Sequence, residues 1–148
     1  MYKIFLLISL IFSSVFAQVD ANLEIIKKAN SLPKILVSVA SNASELETLN
    51  KVKKSLVEDL GVSGHFELAT TNSQARYEDI PDIISLSNQG VSLFLNLSAQ
   101  KESSGDYTLM IKLYDINARA LILEKNFTTS QEERYVFLAH KAVISINT

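Results

Sequence analysis

The chain contains no cysteine. It therefore has no disulfide framework and no thiolate-ligated zinc. The same absence removes the lipid-anchored lipoproteins, which need a cysteine directly after their export signal. Charge is scarce and nearly balanced: 14 basic residues face 16 acidic ones, for a net −2. A surface of that kind offers no strong field to nucleic acid or to an anionic membrane. Only two prolines and four glycines occur, so chain breaks are few and each is informative. No internal repeat or low-complexity tract is present. There is also no apolar run of the roughly 20 residues that a helix needs to cross a bilayer.

The longest apolar stretch is short, and it lies at the start. Met1-Tyr2-Lys3 carries one basic side chain, and Ile4 to Phe12 is apolar except for Ser9. Val15 and Ala17 then stand where a signal peptidase reads small residues. This order of basic, apolar and small residues predicts an export signal over 1–17, cut between Ala17 and Gln18. Removal takes Lys3 with it and leaves a slightly more acidic chain with no membrane span. The remainder, Gln18 to Thr148, is one domain, large enough to bury about two-thirds of its unfolded surface.

Residues 18–22 are polar apart from Val19 and read as a loose arm. Leu23–Ile26 reads as a short strand, and Ser31-Leu32-Pro33 interrupts what precedes it. Lys34–Val39 is a β-branched run with the character of a buried strand. Over 42–61, Leu46, Leu49, Val52, Leu56 and Leu60 recur at helical spacing. Asn42 or Ser44 is the expected cap and Gly61 the expected stop. Lys51, Lys53 and Lys54 fall off that stripe, as a solvated face or, alternatively, an anion patch.

His65–Thr71 reads as another strand and 71–78 as a polar connector. One or two helical turns follow over 79–88, ended by Gly90. The clearest two-residue period comes next: Val91, Leu93, Leu95 and Leu97, then Tyr107, Leu109, Ile111 and Leu113. A Gly105-containing loop joins them, which predicts a β-hairpin. Leu121, Leu123 and Phe127 continue the alternation in a third strand. Ser130, with Glu133 three residues later, predicts a capped final helix over 130–147. Its inner stripe is Tyr135, Leu138, Ala139, Ala142, Val143 and Ile146. Together these elements predict an α/β fold: a two-layer mixed sheet with two amphipathic helices packed on one face.

No catalytic constellation is visible. His65 and His140 lie in different elements and read as half-buried structural residues. The acidic pairs Glu58-Asp59, Asp79/Asp82 and Glu132-Glu133 have no evident partner to separate their pKa values. Gly61-Val62-Ser63-Gly64 follows a helix, whereas a phosphate cradle must precede one. No metal, cofactor or enzymatic activity is expected. Asn42, Asn96 and Asn126 each begin an N-x-S/T triplet. Asn126 also lies in Glu-x-Asn-x-Thr, which resembles the longer acceptor of bacterial N-glycosylation; chance occurrence is the simpler explanation.

Several local motifs are similar, in order, to one family. Leu23-Glu24-Ile25-Ile26 and then Pro33-Lys34-Ile35-Leu36-Val37 resemble its first two strands. Asp59 to Phe66 resembles its "D-L-x-x-S-G-x-F" segment. Gly90-Val91 to Leu97, then Gly105-Asp106-Tyr107 to Leu113-Tyr114-Asp115, resembles its central hairpin. Arg134, Ala139 and His140 echo its "R-x-x-A-H" helix start with two extra residues. That family is the N-terminal domain of TolB, the periplasmic component of the Tol-Pal system. Ser92 and Ile144 stand where the family usually has aspartate. The β-propeller that follows this domain in the family is missing from the sequence, and the last helix is expected to be cut short.

The resemblance implies a periplasmic, non-enzymatic interaction module over residues 23–148. It would support outer-membrane integrity and envelope constriction during cell division. It implies further that Gln18, Val19, Asp20, Ala21 and Asn22 bind a TolA-like inner-membrane protein by strand addition. A Pal-like lipoprotein would be a partner only through a propeller. The competing reading is an unrelated periplasmic secretion accessory or small-ligand-binding domain with the same two-layer fold.

Overall fold

Five strands form one mixed sheet in the order β2-β1-β3-β4-β5. They come from a computed structural model that describes residues 31–148. The predicted export signal, the arm and the Leu23–Ile26 strand lie outside the described residues. The elements are β1 (Lys34–Val39), α1 (Leu46–Ser63), β2 (Glu67–Leu68), α2 (Ile83–Asn88), β3 (Leu93–Lys101), β4 (Tyr107–Asp115), β5 (Ala120–Thr129) and α3 (Tyr135–Ile146). A short 3-10 turn over Glu132–Arg134 leads into α3. β1 runs parallel to both its neighbours, while β3, β4 and β5 form an antiparallel meander.

The sheet is two-layered because its strands alternate. Ile35, Val37 and Val39 of β1 share one buried cluster with Leu95 and Leu97 of β3 and with Leu109 and Ile111 of β4. Leu49, Val52, Leu56 and Leu60 of α1 close that cluster, as do Leu138, Ala139, Ala142 and Val143 of α3. Both helices therefore pack on one face, as their apolar stripes require. The other face carries a smaller cluster of Leu36, Phe94, Tyr114 and Ile116, covered by Leu86 of α2 and by Val91. Val91 was expected in line with Leu93, but it precedes β3 and packs on the opposite side.

Several boundaries differ from the sequence expectation, each for a local reason. α1 begins at Leu46, not near Asn42, and neither Asn42 nor Ser44 caps it. Glu45 occupies the N-cap in the left-handed region, at φ 54°. Asn42 is engaged elsewhere: its Oδ1 accepts from the Tyr77 N–H at 3.0 Å and its Nδ2 donates to Glu78 at 2.8 Å. Ser44 Oγ donates to the Ala99 carbonyl at 3.3 Å. Tertiary partners outcompete the local cap. Leu46, in the first turn, is 53% exposed, so the buried stripe starts at Leu49.

Gly61 does not end α1. The helix continues to Ser63, and Gly64 supplies the left-handed residue at φ 71°. Gly61 instead lets β2 approach: a Cβ there would lie 3.2 Å from Leu68 Cδ1. The strand expected over His65–Thr71 shrinks to Glu67–Leu68. α2 starts at Ile83, where the Asp82 carboxylate accepts the Ser85 N–H at 3.0 Å. In β5 the register shifts: Leu113 faces Leu123, but Tyr114 faces Leu121, leaving Ile122 as an extra residue. Leu121 therefore turns away from the helix-side core. Ser130 makes no cap on α3, and the capping box with Glu133 does not form; Gln131 holds the N-cap of the 3-10 turn with no side-chain bond.

Candidate functional site

The predicted partner-binding arm, Gln18 to Asn22, and the Ala17/Gln18 cleavage site fall outside the described residues. The remaining candidates are all placed. His65 and His140 are exposed, not half-buried. His65 meets the neighbouring Phe66 ring edge-on, with centroids 6.4 Å apart. His140 on α3 lies 3.4 Å from Asp59 on α1, a contact between the two helices. Asp59 thus has a partner that the sequence did not reveal.

The other acidic pairs divide similarly. Asp82 is the cap of α2, and Asp79 lies 4.0 Å from Arg76. Glu132 joins three elements: it accepts from Lys101 of β3 at 2.5 Å and from the Thr48 hydroxyl of α1, just ahead of α3. Hydrogen bonds from Lys101 and then Thr48 hold its carboxyl below the ordinary carboxylate range.

Of the three asparagines that begin N-x-S/T triplets, Asn42 is bound to the Tyr77 backbone and the Glu78 side chain. Asn96 is fully buried, and its Nδ2 donates to the Ala75 and Arg76 carbonyls, each at 3.3 Å. Asn126 is exposed on β5, opposite Met110. Lys112 fastens the same connector from β4: it donates to the Tyr77 carbonyl at 3.1 Å and lies 4.6 Å from the Tyr77 ring centre. Burial raises the Tyr77 hydroxyl well above its ordinary pKa.

One concavity stands out beside the sheet. It encloses about 600 Å³ between β1, the α1 side chains Lys53 and Val57, and the 68–74 segment. Its origin is the brevity of β2. The ladder holds only Lys34↔Glu67 and Ile35↔Leu68. One more bond, Ala69 N–H to the Ile35 carbonyl at 2.9 Å, ends the pairing. The chain then leaves the β1 backbone; the Ser38 hydroxyl tethers it at the Ser73 carbonyl, and just past β1 the Ser41 N–H donates to the Ala75 carbonyl at 3.0 Å. The sequence hinted at this through the polar run Thr70 to Gln74, which cannot supply a buried strand. Periodicity alone did not show where pairing stops.

Lys51 and Lys53 separate here. Lys51 pairs with Glu47 at 2.9 Å along the helix face, whereas Lys53 lines the concavity.

Comparison with known proteins agrees with this architecture. Residues 21–122 match the TolB amino-terminal domain family. The Tol-Pal system protein TolB of Wolinella succinogenes is 36% identical over 136 residues, covering 91% of this chain and 32% of that protein. Its counterpart from Helicobacter hepaticus is 34% identical over 146 residues, covering 96% of this chain and 33% of that protein. The chain thus spans about a third of the length of these relatives. Among solved structures, TolB from Acinetobacter baumannii superposes with a TM-score of 0.63 at 18% identity, covering 80% of this chain and 28% of that one. That last likeness concerns the fold alone. With a family match across most of its length and two relatives above 30% identity, the chain belongs to the TolB amino-terminal domain family.

Proposed function

We propose that this chain is a non-enzymatic interaction module of the Tol-Pal envelope system, working in the periplasm after cleavage between Ala17 and Gln18. The observation that carries the reading is the family match over residues 21–122. The role extends to outer-membrane integrity and to constriction during division.

In this reading the arm Gln18-Val19-Asp20-Ala21-Asn22 is the ligand of a TolA-like inner-membrane protein. It would add a strand to that partner's sheet, backbone hydrogen bonds giving affinity and alternate side chains giving register. The residues from Pro33 onward form a unit of their own. A Pal-like lipoprotein enters only if a propeller accompanies the domain.

The test is one deletion, Gln18 to Asn22, carried through two measurements. The thermal melt should stay unchanged, and calorimetric titration with a TolA-like C-terminal domain should lose its heat of binding. Unchanged binding removes the arm from the mechanism. A collapsed melt makes it structural. Intact-mass measurement of the exported protein should show a mature chain beginning at Gln18, and a retained Met1 would overturn the processing step.

A further inference from the structure

We infer that the open outer edge of β1, between Ile35 and Ser41, is a receptor for a short extended peptide that carries an acidic side chain. The inference stands apart from the arm: there the chain donates a strand, here it accepts one.

Three observations carry it. The first is the backbone. Even-numbered residues of β1 bond toward β3, as the Ser92 N–H to Lys34 carbonyl and the Ala40 N–H to Leu97 carbonyl show, both at 2.8 Å. Odd-numbered residues face the other way, toward β2. There Pro33 and Ile35 are bonded by Glu67 and Ala69, at 3.1 and 2.9 Å. The next in line, Val37, pairs with Leu95 of β3 but has no partner on the β2 side among the described residues, because β2 has ended. An edge of this kind is a template for one more strand.

The second observation is the pair of walls. Side chains of an added strand alternate. One set would meet Val57 and Leu68, which pack against the helix-side core. The other would meet the hydroxyl and amide side chains of the 70–74 segment. Ser38 fixes the distance of that segment, its Oγ donating to the Ser73 carbonyl at 2.9 Å. The concavity holds about 600 Å³ and runs beside β1 between the Ala69–Ile35 and Ser41–Ala75 backbone bonds.

The third observation is charge. Lys53 is the one charged side chain lining the concavity. Lys34, Lys51, Lys101 and Lys112 each lie within 4.0 Å of a carboxylate. Lys53, like Lys54, Lys125 and Lys141, has no such partner among the described residues, and of these four it alone lines the concavity. In a chain of net negative charge, this unpaired ammonium beside a free strand edge selects an acidic residue on the incoming peptide.

The probe is a fluorescein-labelled hexapeptide, Val-Thr-Asp-Thr-Val-Thr, followed by fluorescence anisotropy on the full chain. Saturable binding is expected. Lys53→Glu should weaken it by about three- to tenfold, the scale of one attraction turned into a repulsion. Replacing the peptide's Asp by Lys should do the same, and combining both changes should restore binding. Hydrogen exchange at the Val37 amide should slow when the peptide is present. Absence of saturable binding overturns the proposal, as does binding indifferent to Lys53→Glu when the melt shows that variant folded. Should Lys53→Glu fail to fold, Lys53→Gln and the peptide's own Asp→Lys change decide the matter. Slow Val37 exchange without peptide, or a concentration-dependent dimer in sedimentation, would assign the edge to the chain itself or to a second copy, and would equally overturn it.

Discussion

Lys101 and Glu132 form a 2.5 Å ion pair that ties the end of β3 to the turn before α3. Its partner hydroxyl, Thr48, brings α1 into the same junction. Hydrogen bonding to Lys101 holds the Glu132 carboxyl below its ordinary 4.5, and the same bond raises the Lys101 ammonium above its ordinary 10.5. A carboxyl lowered by folding contributes stability above its unfolded pKa and loses it as the pH falls through the folded one. A raised ammonium does the reverse at high pH. The pair is therefore at full strength between the two ordinary values.

Glu132→Gln should flatten part of the acid limb. A plot of melting temperature against pH should fall less steeply below pH 4.5 in this variant than in the parent. Parallel curves would show that the junction is not what titrates.

Leu56 lies in the middle of the buried stripe of α1 and is fully buried. Leu56→Ala should cost about 2–5 kcal/mol through lost burial and the cavity left behind. Lys54→Ala, on the exposed side of the same helix, should stay within about 0.5 kcal/mol. Urea melts check both, and equal effects would mean that the stripe is misassigned.

The two ends of α1 should respond oppositely to substitution. Gly64 sits at φ 71° with open space around it, so Gly64→Ala adds no clash, only backbone strain. It should cost about 1–2 kcal/mol. Glu45 holds φ 54° without the freedom of glycine. Glu45→Gly should relieve that strain and be neutral or stabilising by up to about 1 kcal/mol. A loss of stability at Glu45→Gly would show that its side chain has a role that outweighs the strain.

Tyr107 is fully buried, and its hydroxyl has no hydrogen-bond partner among the described residues. Burial, then the nearby Glu132 and Glu45 charges, pushes its pKa above the ordinary 10.0. A raised acid contributes stability that is complete below the unfolded pKa and disappears as the pH rises above it. Tyr107→Phe should therefore soften the alkaline limb above pH 10.0. At neutral pH it removes a desolvated, unpaired hydroxyl, so the variant should be as stable as the parent or more so. A loss of more than about 1 kcal/mol in neutral urea melts would point to a bound water on that hydroxyl.

Much of the architecture was legible because it rests on period. Lys34–Val39, the hairpin of β3 and β4 and the inner stripe of α3 all follow from where leucine, valine and alanine recur. What escaped was set by partners distant in sequence. Asn42 has the chemistry of a cap, but Tyr77 and Glu78 engage it. Ser130 and Glu133 have the spacing of a capping box, but Glu132 is held by Lys101 and Thr48, and the first turn becomes 3-10. His65–Thr71 alternates like a strand, yet β1 pairs with only two of its residues. The candidate edge groove was hidden for the same reason: no pattern within Lys53 or Val37 says that a neighbouring strand will end early.

The bulge at Ile122 has a consequence for how the molecule behaves in a crowd. Among the described residues β5 is the long outer border of the sheet, and an unprotected border invites stacking between chains. The extra residue bends and twists it, and Glu124 and Lys125 follow two and three residues later with opposite charges on opposite faces. Two such borders meeting in antiparallel register about either residue bring like charges together. The bulge and these charges thus guard the longest side of the sheet against indiscriminate self-addition.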